Sequence, residues 1–374
     1  MKPLRVLQVF TILNRGGAET NLMNYYRQID REVVHFDFLV HRQEEGAYEE
    51  EIKKLGGQIF RLPALNPLRI KHYKEAVKKF FDDHSDYQII HGQCSELGVF
   101  IYEESKRRNI PVIIAHAHNS PKLSDYDLKF LFREMWKNKM RKSINAYFTC
   151  GQDAAKWLFG KRLSGQSYQM NNAVNTEKFA FDLELQKKEK AEFSAGNDLC
   201  FFHVGRFNKQ KNHRFLIEIF SEIVKLQPKS HLFLVGEGSL KTTVEKQVNQ
   251  VNLREKVTFL GLRDDVAALF QAMDVFLFPS LFEGLPVALV EAQASGILCA
   301  IANTISAEAI LVPENVKVYA LTDSAKFWAE EILQEASAFK RTNVSQIIKD
   351  AGYDINDNVT ELEEQYLELY KRFS

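Results

Sequence analysis

Apolar residues along this chain gather into short runs, and longer stretches between the runs place apolar residues at every third or fourth position. A short continuous apolar run reads as a strand covered on both faces, and the 3.6-residue period reads as an amphipathic helix. On this pattern strands are predicted at 4–13, 36–41, 58–63, 87–92, 112–117 and 146–150. A second series is predicted at 199–205, 231–236, 257–262, 275–280, 297–302 and 316–320. Strand alternating with helix predicts parallel sheets, and two such series predict two doubly wound α/β domains. Between them the chain turns polar and rich in Lys and Glu, which places a linker near 172–195. The expected organisation is a first domain over 1–175, a second over 176–350, and a closing segment over 351–374 whose stretch Asn358–Tyr370 has the period of an amphipathic helix.

Composition narrows the classes open to such a chain. At 374 residues with 45% apolar content, each half can bury a core of ordinary size. The formal net charge is zero, which argues against a nucleic-acid binder held by overall charge, so any anion must be gripped locally. Cys94, Cys150, Cys200 and Cys299 are dispersed in or beside apolar runs and show no metal-ligand spacing, which reads as reduced buried thiols in a cytoplasmic protein. The start of the chain is too polar for a signal peptide, and no apolar run approaches the ~20 residues of a membrane span.

Candidate chemistry sits where strands end, the place where open α/β sheets bind ligands. After Val275–Phe278 comes Pro279-Ser-Leu-Phe-Glu-Gly-Leu-Pro286, then an apolar helix opened by Pro286 and closed by Gly296. Glu283 lies on the loop, and Glu291 is the lone charge on the helix. Ionised carboxylates only accept hydrogen bonds, and vicinal hydroxyls of a sugar or ribose offer paired donors. After 199–205, Val204-Gly-Arg-Phe-Asn-Lys-Gln-Lys-Asn212 puts Arg206 and Lys211 on a turn into a helix capped by Asn212. Fixed cations of this kind suit a diphosphate. Val235-Gly-Glu-Gly-Ser239 ends the next strand with Gly236 and Gly238 in a tight turn, and Leu262 and Arg263 follow the one after.

In the first half, Gly16 and Gly17 precede a helix whose free N–H groups suit an anion. His116 and His118, two apart on a strand, share a face and leave two readings open, packing or a metal, although no third ligand presents itself. From 122 to 142, Lys122, Lys129, Arg133, Lys137, Lys139, Arg141 and Lys142 outnumber Asp125, Asp127 and Glu134, and aromatic residues and Met interleave. This stretch reads either as a helix packed on its own domain or as an interfacial helix on anionic lipid. Asp125-Tyr-Asp127 follows Ser124 at a helix start, which favours capping over metal binding.

Phe282-Glu-Gly-Leu-Pro286 with Glu291, Val204-Gly-Arg-Phe207 with Lys211-Asn212, Gly236-Glu-Gly238, Gly16-Gly-Ala-Glu19 and His118 stand in the order of, and resemble, the motifs of the family-four retaining nucleotide-sugar glycosyltransferases. The resemblance implies the GT-B fold, two Rossmann-like domains facing an interdomain cleft, with closing helices that cross back to the first domain. It implies that Glu283 contacts the donor sugar or its diphosphate, that Glu291 holds the ribose, and that Arg206 and Lys211 bind the diphosphate. Gly16 and Gly17 would face the diphosphate and His118 the sugar. Gly236, Gly238, Leu262, Arg263, Gly284 and Leu285 would line the nucleotide sugar.

The function so implied is metal-independent transfer of a hexose, with retention, from a nucleotide sugar, UDP-linked, to a glycan or lipid-linked acceptor in bacterial surface polysaccharide synthesis. The enzyme would be cytoplasmic or peripheral at the inner face of the membrane, with no cofactor and no nucleic acid partner. Two other readings share the architecture: a nucleotide-sugar epimerase, and a non-catalytic nucleotide-sugar-binding partner of a transferase.

Overall fold

A computed structural model describes residues 2–118, 129–193 and 198–374. The chain forms two compact units, one of 1–171 with 355–374 and the other of 172–354. The divisions therefore fall at 171/172 and 354/355, where sequence reasoning placed them at 175/176 and 350/351.

The first unit is built on a parallel sheet of seven strands: β1 (Leu4–Phe10), β2 (Val34–Val40), β3 (Ile59–Arg61), β4 (Ile89–Gly92), β5 (Val112–Ala117), β6 (Ala146–Thr149) and β7 (Tyr168–Gln169). Their order across the sheet is β3-β2-β1-β4-β5-β6-β7. The reversal beside β1 marks a doubly wound sheet. Leu7, Val9 and Ile90 enter one apolar core, and Ile113, Ala115 and Ala117 another. The helix Ile355–Phe373 belongs to this unit and packs against the helix Gly17–Gln28. Tyr25 ties it down, since its hydroxyl reaches Asn171 O at 2.8 Å and Asn358 Oδ1 at 3.3 Å.

The second unit holds six parallel strands: β8 (Leu199–Val204), β9 (Ser230–Val235), β10 (Val257–Gly261), β11 (Val275–Phe278), β12 (Leu298–Ala302) and β13 (Val316–Tyr319), in the order β10-β9-β8-β11-β12-β13. Successive residues of a strand point to opposite faces. Phe276 and Phe278 of β11 accordingly join one core, and Val275 and Leu277 the other. Arg341 braces this unit: it is half-buried, and its guanidinium donates to Phe270 O, Gln271 O, Met273 O and Ser295 O. It thereby satisfies the last carbonyls of the helices Val266–Ala272 and Val287–Ala294, which have no partner within a helix. Burial pulls its guanidinium down to about 10.

The polar tract near 172–195 is not a free linker. It contains the helices Thr176–Phe179 and Leu183–Glu192. Asn175 Oδ1 caps the first at Lys178 N, 2.7 Å away, and Asp182 Oδ1 caps the second at Leu185 N, 2.8 Å away. The second helix buries none of its residues, so its composition matches that of a loop.

Candidate active site

In the second unit, two strand-end turns are sewn together through the backbone. Phe207 N donates to Glu237 O at 3.0 Å, and Leu240 N to Phe207 O at 3.0 Å. A Cβ on Gly236 would stand 2.1 Å from Gly205 O, and one on Gly238 would stand 2.4 Å from Phe207 O. These glycines are required because one backbone lies against another. The turn that carries Arg206 is thus pinned by its neighbour.

The same turn is pinned on its other side to the loop after β11. Leu281 N donates to Gln210 O at 2.8 Å, Gln210 Nε2 to Phe282 O at 3.2 Å, and Asn212 Nδ2 to Pro279 O at 3.0 Å. Asn212 was expected to cap the helix His213–Leu226. It holds the cap position at φ 53° but makes no side-chain cap bond, because its amide serves the 279–283 loop instead. The cap-like bond lies one turn earlier, from Lys211 N to Asn208 Oδ1 at 3.1 Å.

These ties bring Lys211 and Glu283 face to face. Lys211 Nζ stands 2.8 Å from Glu283 Oε1, with the two side chains 15% and 9% exposed. The ammonium also lies 4.4 Å from the centre of the Phe278 ring. The angles of the ion pair are not those of a hydrogen bond, so Oε1 is a buried acceptor with no hydrogen-bond donor among the described residues. A buried carboxylate oxygen in that state has capacity for a ligand hydroxyl. Arg206 is exposed on the same turn, and its guanidinium has no partner among the described residues. One cation is therefore held against the carboxylate while the other stands open to solvent.

Glu291 is half-buried within the helix Val287–Ala294, which Pro286 precedes at the N-cap. Gly284 is half-buried and Leu285 enters the core, where its carbonyl accepts a hydrogen bond from Asn172 Nδ2. Leu262 is 48% exposed, and Arg263 is occupied by Asp265 through Nε, at 2.8 Å, and Nη2.

Beneath the turn lie two histidines that sequence reasoning did not single out. His203 is fully buried and donates from Nδ1 to Leu277 O at 2.8 Å. His213 stacks on Phe207 with ring centres 4.1 Å apart, and neither of its ring nitrogens has a hydrogen-bond partner among the described residues. Burial, with the Lys211 charge as a lesser cause, pulls His213 down to about 4, and burial holds His203 well below the ordinary range. Both are neutral at pH 7. Their polarity inside the apolar surroundings of β8 and the following helix was the signal available.

In the first unit, Gly16 is the N-cap of the helix Gly17–Gln28, and no side chain caps it. A Cβ on Gly17 would meet nothing within 4 Å, so neither packing nor positive φ demands glycine there. His118 follows β5, and its Nε2 lies 2.7 Å from Gln93 Oε1. His116 is buried and meets His91 Nε2 at 3.1 Å through Nδ1. Burial pulls His118 down to about 4 and His116 well below its ordinary value. Among the described residues no three His, Cys, Asp or Glu side chains cluster as a metal site would require.

Several described side chains of the helix Lys129–Ser143 are engaged on its own domain. Arg133 pairs with Glu96 at 2.7 Å, Arg141 donates to Leu158 O, and Lys137 is buried with its ammonium 3.2 Å from the centre of the Trp157 ring. Of its large apolar side chains, Met135 is 47% exposed. Asn119, Ser120 and the Ser124–Asp127 segment lie outside the described residues. Among those described, no helix is long and apolar enough to cross a membrane.

Comparison with known proteins agrees with this architecture. Over 99% of its length the chain superposes on 98% of Anabaena Alr3699/HepE, solved in complex with UDP and glucose, with a TM-score of 0.75 at 15% identity. Two parallel-sheet Rossmann-like domains are the fold of the GT-B class, to which that structure belongs. Residues 185–336 match the family described as Glycosyl transferases group 1. The chain is 34% identical to the putative glycosyltransferase EpsF of Bacillus subtilis, over 95% of this chain and 94% of that one. It is 28% identical, over 58% of each chain, to the Escherichia coli UDP-Gal:alpha-D-GlcNAc-diphosphoundecaprenol alpha-1,3-galactosyltransferase. The chain belongs to the group 1 glycosyltransferases and is a glycosyltransferase.

Proposed function

We propose that this enzyme moves a hexose from a UDP-sugar, with retention, to a hydroxyl of a lipid-linked or glycan acceptor in the assembly of a bacterial surface polysaccharide. The observation that carries the reading is the Lys211–Glu283 pair, held at 2.8 Å between two strand-end turns with Arg206 open beside it. Transfer requires charge developing on the departing diphosphate to be stabilised by groups already in place. Arg206 and Lys211 supply that charge. Glu283, with a buried oxygen that lacks a donor among the described residues, accepts from a sugar hydroxyl and orients the ring.

Glu291 takes the ribose hydroxyls, and the backbone around Gly236, Gly238, Leu262, Arg263, Gly284 and Leu285 borders the nucleotide sugar. From the first domain the proposal takes the N–H groups at Gly16 and Gly17, and His118. Neutral His118 cannot offer a full positive charge, so its part is a hydrogen bond. With the diphosphate neutralised by side chains, turnover is expected to be indifferent to chelators.

Support for the UDP-linked donor and the lipid-linked acceptor comes from the name of the Escherichia coli relative, whose alpha linkage also accords with retention. A cytoplasmic location belongs to the same proposal. Contact of 122–142 with anionic lipid would have to come from residues other than Arg133, Lys137 and Arg141, whose side chains are engaged within the domain.

The test is incubation of the purified chain with a panel of UDP-sugars, with and without a saccharide-diphosphate lipid, followed by NMR of donor and product. Transfer that requires the acceptor and preserves the anomeric configuration supports the proposal. Epimerised donor without an acceptor, or no reaction with any UDP-sugar, overturns it.

A further inference from the structure

Six side chains of the first domain close into a polar ring inside the sheet. His118 Nε2 meets Gln93 Oε1 at 2.7 Å, Gln93 Nε2 donates to Gln8 Oε1 at 2.9 Å, and Gln8 Nε2 donates to the Tyr366 hydroxyl at 3.1 Å. That hydroxyl meets His91 Nδ1 at 2.6 Å, and His91 Nε2 meets His116 Nδ1 at 3.1 Å. His116 stacks back on His118 with ring centres 4.0 Å apart. Gln8, His91, His116 and Tyr366 are fully buried, and Tyr366 comes from the closing helix Ile355–Phe373.

Each link in such a ring needs one donor and one acceptor, and each neutral imidazole carries a single N–H. Only two proton arrangements satisfy every link. In one, His118 donates from Nε2, both amides stand as described, the phenol donates to His91 Nδ1, and all three histidines carry the proton on Nε2. In the other, both amides turn over, the phenol donates to Gln8, and all three carry it on Nδ1. A mixed arrangement gives Tyr366 two donors and leaves its own proton without a partner, or asks that one proton to serve two acceptors. Stranding a buried polar group disfavours such an arrangement by roughly tenfold or more. The 2.6 Å contact to His91 is shorter than an ordinary N–H···O bond and within the range of an O–H donor, which favours the first arrangement even though it places a proton on His116 Nε2, a buried atom with no hydrogen-bond partner among the described residues.

We infer that Tyr366 is a positioning residue, whose hydroxyl couples the tautomer of His118 to those of His91 and His116 and fixes the proton on His118 Nε2. His118 then presents the lone pair of Nδ1 rather than a proton. Resting on the proposed donor-facing role of His118, this means that the ring accepts from a sugar hydroxyl and does not donate to a ring oxygen. The closing helix thus sets a chemical property of β5's end as well as covering the sheet.

The experiment is long-range proton–nitrogen NMR of the full chain labelled with 15N-histidine, without nucleotide, at pH 7.5. Resonances are assigned by single histidine substitutions. Wild type should show His91, His116 and His118 with Nε2 in the protonated range and Nδ1 in the unprotonated range. Tyr366→Phe keeps the ring packing and loses the proton link, so His91 and His118 should both shift toward mixed tautomers.

Opposite tautomers at His91 and His118 in wild type would overturn the inference, as would a folded Tyr366→Phe protein with His118 wholly unchanged. Turnover is a separate arm. If the tautomers behave as stated while Tyr366→Phe and His118→Ala turn over at the wild-type rate, the coupling stands and the donor-facing role of His118 falls.

Discussion

Lys211→Ala perturbs the site and the fold of the second domain in ways that can be separated. The ammonium is removed from a carboxylate 2.8 Å away whose side chain is 9% exposed, and Glu283 is left as a nearly buried charge without its counter-ion. Breaking a fully buried pair in this way costs about 3–5 kcal/mol. The pair here keeps some solvent contact at Lys211, which is 15% exposed, so roughly 1–3 kcal/mol is expected after discounting for screening.

On turnover, loss of one preorganised charge opposite the diphosphate lowers kcat on the order of 10²–10³-fold, about 3–4 kcal/mol of barrier. The double variant Lys211→Ala with Glu283→Ala separates the two effects. Removing the stranded carboxylate restores part of the stability, a coupling on the order of 1–2 kcal/mol in urea denaturation, and restores no turnover. The assays are denaturation followed by fluorescence and release of UDP under saturating donor. A Lys211→Ala enzyme with a near-wild-type kcat would refute the reasoning, and strictly additive stabilities would refute the pairing.

Glu291→Ala should weaken donor binding by roughly 10- to 100-fold with little change in kcat, as fits the loss of about 1.5–3 kcal/mol of charge-assisted hydrogen bonding; calorimetry with an unchanged affinity would contradict this. Gly236→Ala places a Cβ 2.1 Å from Gly205 O at φ 138° and should cost on the order of 2–4 kcal/mol in urea denaturation, whereas Gly17→Ala, with open space above it, should cost little stability. His41, His118 and His213 are each pulled down to about 4 by burial. Between about pH 6.5 and 4 the unfolded chain therefore takes up protons that the folded chain refuses. Stability should be level in this respect above pH 7 and fall as pH drops through that window, by up to about 3 kcal/mol for a fully buried histidine. Denaturation midpoints that do not move between pH 7 and 4.5 would contradict it.

Strand positions were legible because each strand is a continuous apolar run between polar turns, and the predicted ranges overlap all strands but one. The exception, Tyr168–Gln169, has two residues and no apolar run to announce it. The helices within 172–195 were hidden for a related reason: Leu183–Glu192 buries no residue fully, and without a fully buried face its sequence looks like a linker. At the site, the residue types were readable from the turns, and the pairing of Lys211 with Glu283 was not. That pairing depends on Gln210 and Asn212 reaching a loop some 70 residues away. The first-domain ring was less accessible still. Gln8 and His91 stand out as polar residues within apolar strands, but their shared partner, Tyr366, lies at the far end of the chain and is recruited by a helix whose period says only that one face is buried.

The central claim is that fixed cations of the second domain grip a diphosphate. Calorimetric titration of the full chain with UDP and with uridine tests it most directly, for wild type and for the double variant Arg206→Ala with Lys211→Ala. Two charge-assisted contacts predict that wild type binds UDP about 100-fold or more tighter than uridine, and that the double variant loses that difference while keeping its affinity for uridine. Equal affinities for UDP and uridine in wild type, or an undiminished preference for UDP in the double variant, would contradict it.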